Sequence, residues 1–113
     1  MIVVHTSIPI DPDSYDDALA VVADLVERSR QEPGVVRYRA TSDVTDEHTL
    51  RFFEQYEDRA AWEAHAESDH LEAFEARLPE LVDGEMETVS VAGGDLRAYN
   101  FTTDDLQGQS SDE

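Results

Sequence analysis

The sequence predicts one α+β domain, an antiparallel sheet carrying its helices on one face. Three observations predict it. Runs rich in β-branched and aromatic residues have strand length and are bounded by turn residues. Amphipathic helical stripes fall between them in the order βαββαβ. The chain of 113 residues is long enough for one hydrophobic core and short for two.

The opening run Ile2-Val3-Val4-His5-Thr6-Ser7-Ile8-Pro9-Ile10 is stopped by Asp11-Pro12-Asp13. It reads as a strand with Ile2, Val4, Thr6, Ile8 and Ile10 on one face and His5 on the other. From Ser14 the period lengthens: Tyr15, Ala18, Leu19, Val22, Leu25, Val26 and Ser29 form a helical stripe, with acids in the first turn and Arg28 and Arg30 in the last, where the helix dipole favours them. Glu32-Pro33-Gly34 ends this helix, because proline cannot continue it and glycine admits the positive φ of a turn.

Val35 to Ser42 and Thr49 to Glu57 then form a predicted hairpin around Asp43–His48, with Leu50, Phe52, Glu54 and Tyr56 on one face and Arg51, Phe53 and Gln55 on the other. Asp58 opens a helical stretch with Ala61, Trp62 and His65. Ser68 or Asp69 caps a further helix carrying Leu71, Phe74, Leu78 and Leu81, with Pro79 near its end. Met86 to Ala92 is the last strand of the domain, broken by Gly93-Gly94. The order βαββαβ is that of a ferredoxin-like split βαβ fold. Residues 1–94 are assigned to this domain. Residues 95–113 read as a C-terminal extension, a short extra strand at Asp95–Phe101 followed by a disordered acidic tail. The open sheet face stays too apolar for water, so a homodimer packed through the sheet faces is expected.

Composition sets the surroundings. The chain has 27 acidic and 8 basic residues, all eight of them Arg, and a net charge of −19. At molar salt the Debye length shrinks to about 3 Å, which removes most of the self-repulsion such a charge creates. A halophilic cytoplasm is the expected setting, with a dedicated acidic binding surface as the alternative. Nucleic acid and anionic membrane are not expected partners, since both require clustered positive charge. No apolar stretch is long enough to span a membrane and no leader signal opens the chain, so a soluble, unexported protein is expected. The lack of cysteine removes disulfides, thiolate nucleophiles and thiolate metal sites.

One constellation says more. Glu32-Pro33-Gly34 with Tyr38, then Glu54-Gln55-Tyr56-Glu57-Asp58, Ala60-Ala61, and His65-Ala66-Glu67-Ser68-Asp69-His70 with Phe74 stand in a fixed order over about residues 1–92. Together they resemble the antibiotic-biosynthesis monooxygenase (ABM) family, in particular its small quinol monooxygenases. The resemblance implies a dimeric α+β barrel with a pocket between sheet and helices in each subunit. It also implies oxidation of a quinol-like or polyphenolic small molecule by O2 with no cofactor, neither metal nor flavin.

Such chemistry asks for an apolar aromatic box and a base that titrates near neutrality. His65 and His70 are the candidate catalytic residues. Tyr38, Phe52, Glu54, Tyr56, Trp62 and Phe74 are the candidate ligand-binding residues. The blander readings are that His65 bonds at a helix end, that Trp62, Phe52 and Phe74 are core, and that Glu54 is paired to an Arg. His5 and His48 read as ordinary strand and loop histidines.

A metal site is not expected. His65 and His70 would sit about 140° apart on a continuous helix and share no face unless a break intervenes. The haem-degrading members of the family use an Asn, Trp and His set; the corresponding positions here hold Thr6, His65 and Glu75, so that chemistry is not expected. The polyketide oxygenases use an Asn and a Trp, and no Asn precedes Asn100. Two other classes of function stay open: a non-catalytic dimeric module binding a small ligand or haem, and a purely structural dimer whose pocket is filled by side chains.

Overall fold

The computed structural model describes residues 1–106. The predicted disordered tail falls largely on residues 107–113, which lie outside the described residues. Strand β1 is Ile2–Pro9; a 3-10 turn at Pro12–Ser14 leads into helix α1, Tyr15–Arg30. Strands β2 (Val35–Ser42) and β3 (Thr49–Tyr56) follow, then helices α2 (Arg59–Ala66) and α3 (Asp69–Leu81), and strands β4 (Met86–Ala92) and β5 (Asp95–Phe101). The five strands form one sheet in the order β2-β3-β1-β4-β5, antiparallel throughout. Its first four strands have the ferredoxin-like order that the βαββαβ pattern predicts. No helix among the described residues is long and apolar enough to cross a membrane.

Period-two alternation places the sheet faces as the sequence predicts. Opposite residues in β1 and β3 pair Val4 with Glu54, Thr6 with Phe52 and Ile8 with Leu50 on the inner face, and His5 with Phe53 on the outer. The main core, Ile8, Ile10, Val22, Leu25, Leu50, Leu78 and Leu81 among others, lies between the sheet, α1 and α3. Burying each large aliphatic side chain contributes about 1.5–3 kcal/mol. Along α1 the stripe narrows, with Ala18, Val22, Leu25 and Ser29 buried and Leu19 left exposed. A smaller cluster of Ile2, Val4, Tyr56 and Ala61, with Trp62 against it, anchors α2.

Two local features bring the later site together. Gly34, at φ +87°, sits under α2, and a Cβ there would come within 2.6 Å of the Ala61 Cβ. Only glycine allows both this backbone conformation and the close approach. Asp58 caps α2 by accepting the Ala61 N–H. Ser68 is the hinge: its hydroxyl donates to the His65 carbonyl at the end of α2 and accepts the Leu71 N–H at the start of α3. The two helices are therefore separate, with the break between His65 and His70.

The Gly93-Gly94 turn, both residues at positive φ, returns the chain as β5, which pairs with β4 along its whole length.

Candidate active site

A cavity of about 860 Å³ opens between the inner face of the sheet and helices α2 and α3, at the large end of the usual range for small-molecule sites. Its floor comes from β1, β3 and β4, with Val4, Thr6, Ile8, Phe52, Glu54, Met86 and Thr88; Tyr38 enters from β2. Trp62, His65 and Phe74 descend from the helices, joined by Leu71, Glu75 and Leu78. The remaining wall is formed by Tyr99 and Phe101 of β5 and by Asp104, Asp105 and Leu106.

The rings form a connected shell. Tyr38 meets Phe52 edge-on with centroids 6.3 Å apart, Phe52 meets Phe74 at 5.9 Å, and the His65 ring lies 5.1 Å from Tyr38 and 5.7 Å from Tyr56. Separations of this size are those at which aromatic pairs attract. Thr6 and Thr88 share a hydroxyl hydrogen bond of 3.0 Å across the floor, which with Glu54 forms its polar part.

Of the residues singled out from sequence, Tyr38, Phe52, Glu54, Trp62, His65 and Phe74 line this cavity. Tyr56 does not; it is fully buried behind Glu54 and donates its hydroxyl to Glu54 Oε1 at 2.5 Å. His70 does not line it either. Its side chain, one-fifth exposed, turns instead to Glu32. Glu54 is not paired to an Arg among the described residues.

Glu32, in the loop after α1, is the residue that sequence reasoning missed as a site residue. Its Oε2 lies 2.7 Å from His65 Nδ1 and 2.6 Å from His70 Nε2. The break at Ser68 is what allows two imidazoles five residues apart to converge, so the continuous-helix geometry that argued against their meeting does not apply. Among the described residues Glu32, His65 and His70 form the group that could hold a metal ion, their ligating atoms all lying within 4.8 Å of one another. The two nitrogen–oxygen separations are nonetheless those of charge-assisted hydrogen bonds.

Electrostatics separate the groups by role. His65 is 3% exposed, and burial pulls its pKa below the ordinary 6.5, against the opposing pull of Glu32, which favours the charged ring. The Glu54 carboxyl is pushed up to about 7, first by burial and then by the charge of Glu32, against the Tyr56 hydrogen bond that lowers it. Burial also raises the Tyr38 and Tyr56 phenols, with Glu54 adding to both, so both stay protonated. Glu75 is raised by burial and by neighbouring Glu72. The cavity thus holds an imidazole whose burial favours its neutral form and a carboxyl pushed up to about 7, perturbations of the kind that cluster at functional sites.

Residues 1–88 match the family described as antibiotic biosynthesis monooxygenase, ABM. The chain belongs to this family. It is 32% identical over 89 residues to YcnE of Bacillus subtilis, which carries the name of a monooxygenase; the match spans 79% of this chain and 94% of YcnE. It is also 32% identical over 81 residues to the uncharacterized protein sll1783 of Synechocystis sp., covering 72% of this chain and about half, 55%, of that relative. Among solved structures, a crystal structure of an antibiotic biosynthesis monooxygenase superposes with a TM-score of 0.77 at 27% identity, covering 82% of this chain and 98% of the other. The ABM match stops before β5, so the wall built from residues 99–106 lies outside the matched part.

Proposed function

We propose that this ABM protein is a monooxygenase that oxidises a quinol-like or polyphenolic small molecule with O2 in the cavity between sheet and helices, and that it uses no metal or flavin. The observation that carries the reading is the placement of His65, a buried imidazole held below its ordinary pKa, at the wall of an aromatic cavity large enough for a polycyclic phenol. At neutral pH that ring is in its base form.

The chemistry follows from the substrate. His65 takes the phenolic proton, and the phenolate, far more electron-rich than the phenol, passes an electron to O2. Recombination at a ring carbon, with one oxygen retained as a carbonyl and the other released as water, converts phenol plus O2 to quinone plus water. All four electrons come from the ring, so no outside reductant is required. Tyr38, Phe52, Trp62 and Phe74 supply the flat apolar walls, and Glu54 the polar contact on the floor.

The outer sheet face supports a homodimer, because it leaves Phe53, Val91 and Leu96 exposed. A salty cytoplasm is the proposed setting, supported by the net charge of −19 and the absence of lysine. Removing salt is then expected to separate the subunits or unfold them, which sedimentation and circular dichroism against salt concentration would reveal; full stability of the dimer in dilute buffer would contradict it.

The direct test of function is oxygen uptake in molar salt with a panel of hydroquinones and polyphenols. His65→Ala is expected to lower turnover at least about tenfold with its circular dichroism unchanged. An unaltered rate would remove His65 as the base.

A further inference from the structure

We infer that Glu32 is a positioning residue for this reaction: its Oε2 accepts one N–H from His65 and one from His70, which fixes His65 as the Nδ1–H tautomer and leaves its Nε2 lone pair as the base. The inference rests on the reading of His65 as the base given above, and it moves His70 from base to brace.

A carboxylate oxygen 2.7 Å from His65 Nδ1 and 2.6 Å from His70 Nε2 must have a proton in each gap. Those protons reside on nitrogen, since a carboxylate offers acceptors only. One of the two nitrogens of His65 is therefore committed away from the reaction, and the other remains for the cavity that this residue lines. When that nitrogen takes a proton, the imidazolium forms with its counter-ion already in place. Glu32 need not take up the proton itself to lower the cost, as in the carboxylate–imidazole pairs of hydrolases.

His70 reaches the same oxygen from α3 and lines no part of the cavity, so it holds Glu32 and does not meet substrate. The fold keeps the three together by two independent devices. Gly34 lets the Glu32 loop lie under α2, and Ser68 breaks the helix so that His65 and His70 turn to one point. The other groups near the His65 ring are Tyr38 from β2 and Tyr56 from β3, both phenols. Glu54 from β3 shares the cavity wall. None of them is hydrogen-bonded to His65 in the described residues, so the tautomer is set by Glu32.

Nitrogen-15 NMR of the full chain in high salt reads the tautomer without any substrate. The expected result is a proton on His65 Nδ1 and a bare Nε2. In Glu32→Gln the side-chain amide can donate to Nδ1, so part or all of His65 is expected to shift to the Nε2–H form. Turnover should then fall at least about tenfold with KM within about threefold. The acidic limb of the pH–rate profile should also move to lower pH, because the charge that favoured the imidazolium is gone. Glu32→Asp, which keeps the charge, should recover part of the rate.

A wild-type His65 protonated on Nε2, or a Glu32→Gln variant with the wild-type tautomer and rate, would overturn the inference. Failure of the functional reading looks different: the wild type would then take up no oxygen with any of the phenols, or His65→Ala would turn over normally, whatever the tautomer.

Discussion

Glu32 and Glu54 are both carboxylates tucked into the same end of the molecule, and they differ in what meets them. Glu32 is met by two imidazole N–H groups on one oxygen. Among the described residues Glu54 is met by a single phenol on Oε1 and is otherwise buried at the floor of the cavity, so burial prevails and its carboxyl is pushed up to about 7. The same side chain is thus a hydrogen-bonded anchor in one place and a carboxyl raised by burial in the other. The difference comes from donors and burial, not from the residue type.

The largest expected effect concerns stability. Glu54 holds its proton up to about pH 7 in the folded chain but only to its ordinary 4.5 when unfolded. Its contribution to stability is therefore full below pH 4.5 and is lost as pH rises through 7, a swing on the order of 3 kcal/mol. Glu54→Gln keeps an acceptor for Tyr56 and removes the titration. Denaturation at constant high salt should find the variant more stable than wild type at pH 8, by up to that amount, with the gap closing toward pH 4.5. A gap independent of pH would contradict the contrast between the two carboxylates.

Gly34→Ala attacks the other carboxylate through the backbone. The added methyl meets Ala61 at 2.6 Å from a positive-φ position, which should cost about 1–3 kcal/mol and push α2 away from the Glu32 loop. Thermal melting measures the cost. The His65 ring resonances should also shift toward those of Glu32→Gln; unchanged resonances would mean that the glycine does not hold the anchor in place.

The smallest effect is expected for Tyr56→Phe. It removes the one donor to Glu54 among the described residues and should cost about 1–2 kcal/mol, since a buried acceptor loses its partner. The carboxyl of Glu54 should rise further above 7, because that hydrogen bond is what lowers it. Titration of the Glu54 carboxyl by carbon-13 NMR checks the direction, and a fall would break the comparison.

These residues also mark how far a sequence can be read. Faces set by period-two alternation were legible: Leu50, Phe52, Glu54 and Tyr56 do share the inner face, and Ser68 does cap a new helix. The candidate wall residues Phe52, Trp62 and Phe74 were legible through the family resemblance. The union of Glu32, His65 and His70 was not, because Glu32 comes from a loop more than thirty residues upstream. The break at Ser68 was legible as a helix cap, but a cap does not fix the angle at which the two helices, and so the two histidines, meet. Burial decided the rest: nothing local in the sequence distinguishes Tyr56, sealed behind Glu54, from Tyr38, which reaches the cavity. The wall from Tyr99 to Leu106 was hidden for another reason, since it lies past the part of the chain that resembles the family.

The central claim is that His65 faces a substrate in this cavity, and a crystal structure with an oxidation-resistant phenol bound in high salt tests it most directly. The phenolic oxygen is expected within hydrogen-bond reach of His65 Nε2, about 2.6–3.2 Å, with the ring between Trp62, Phe52 and Phe74. A phenol bound elsewhere, or one whose hydroxyl points to Glu54 with His65 turned away, would contradict it.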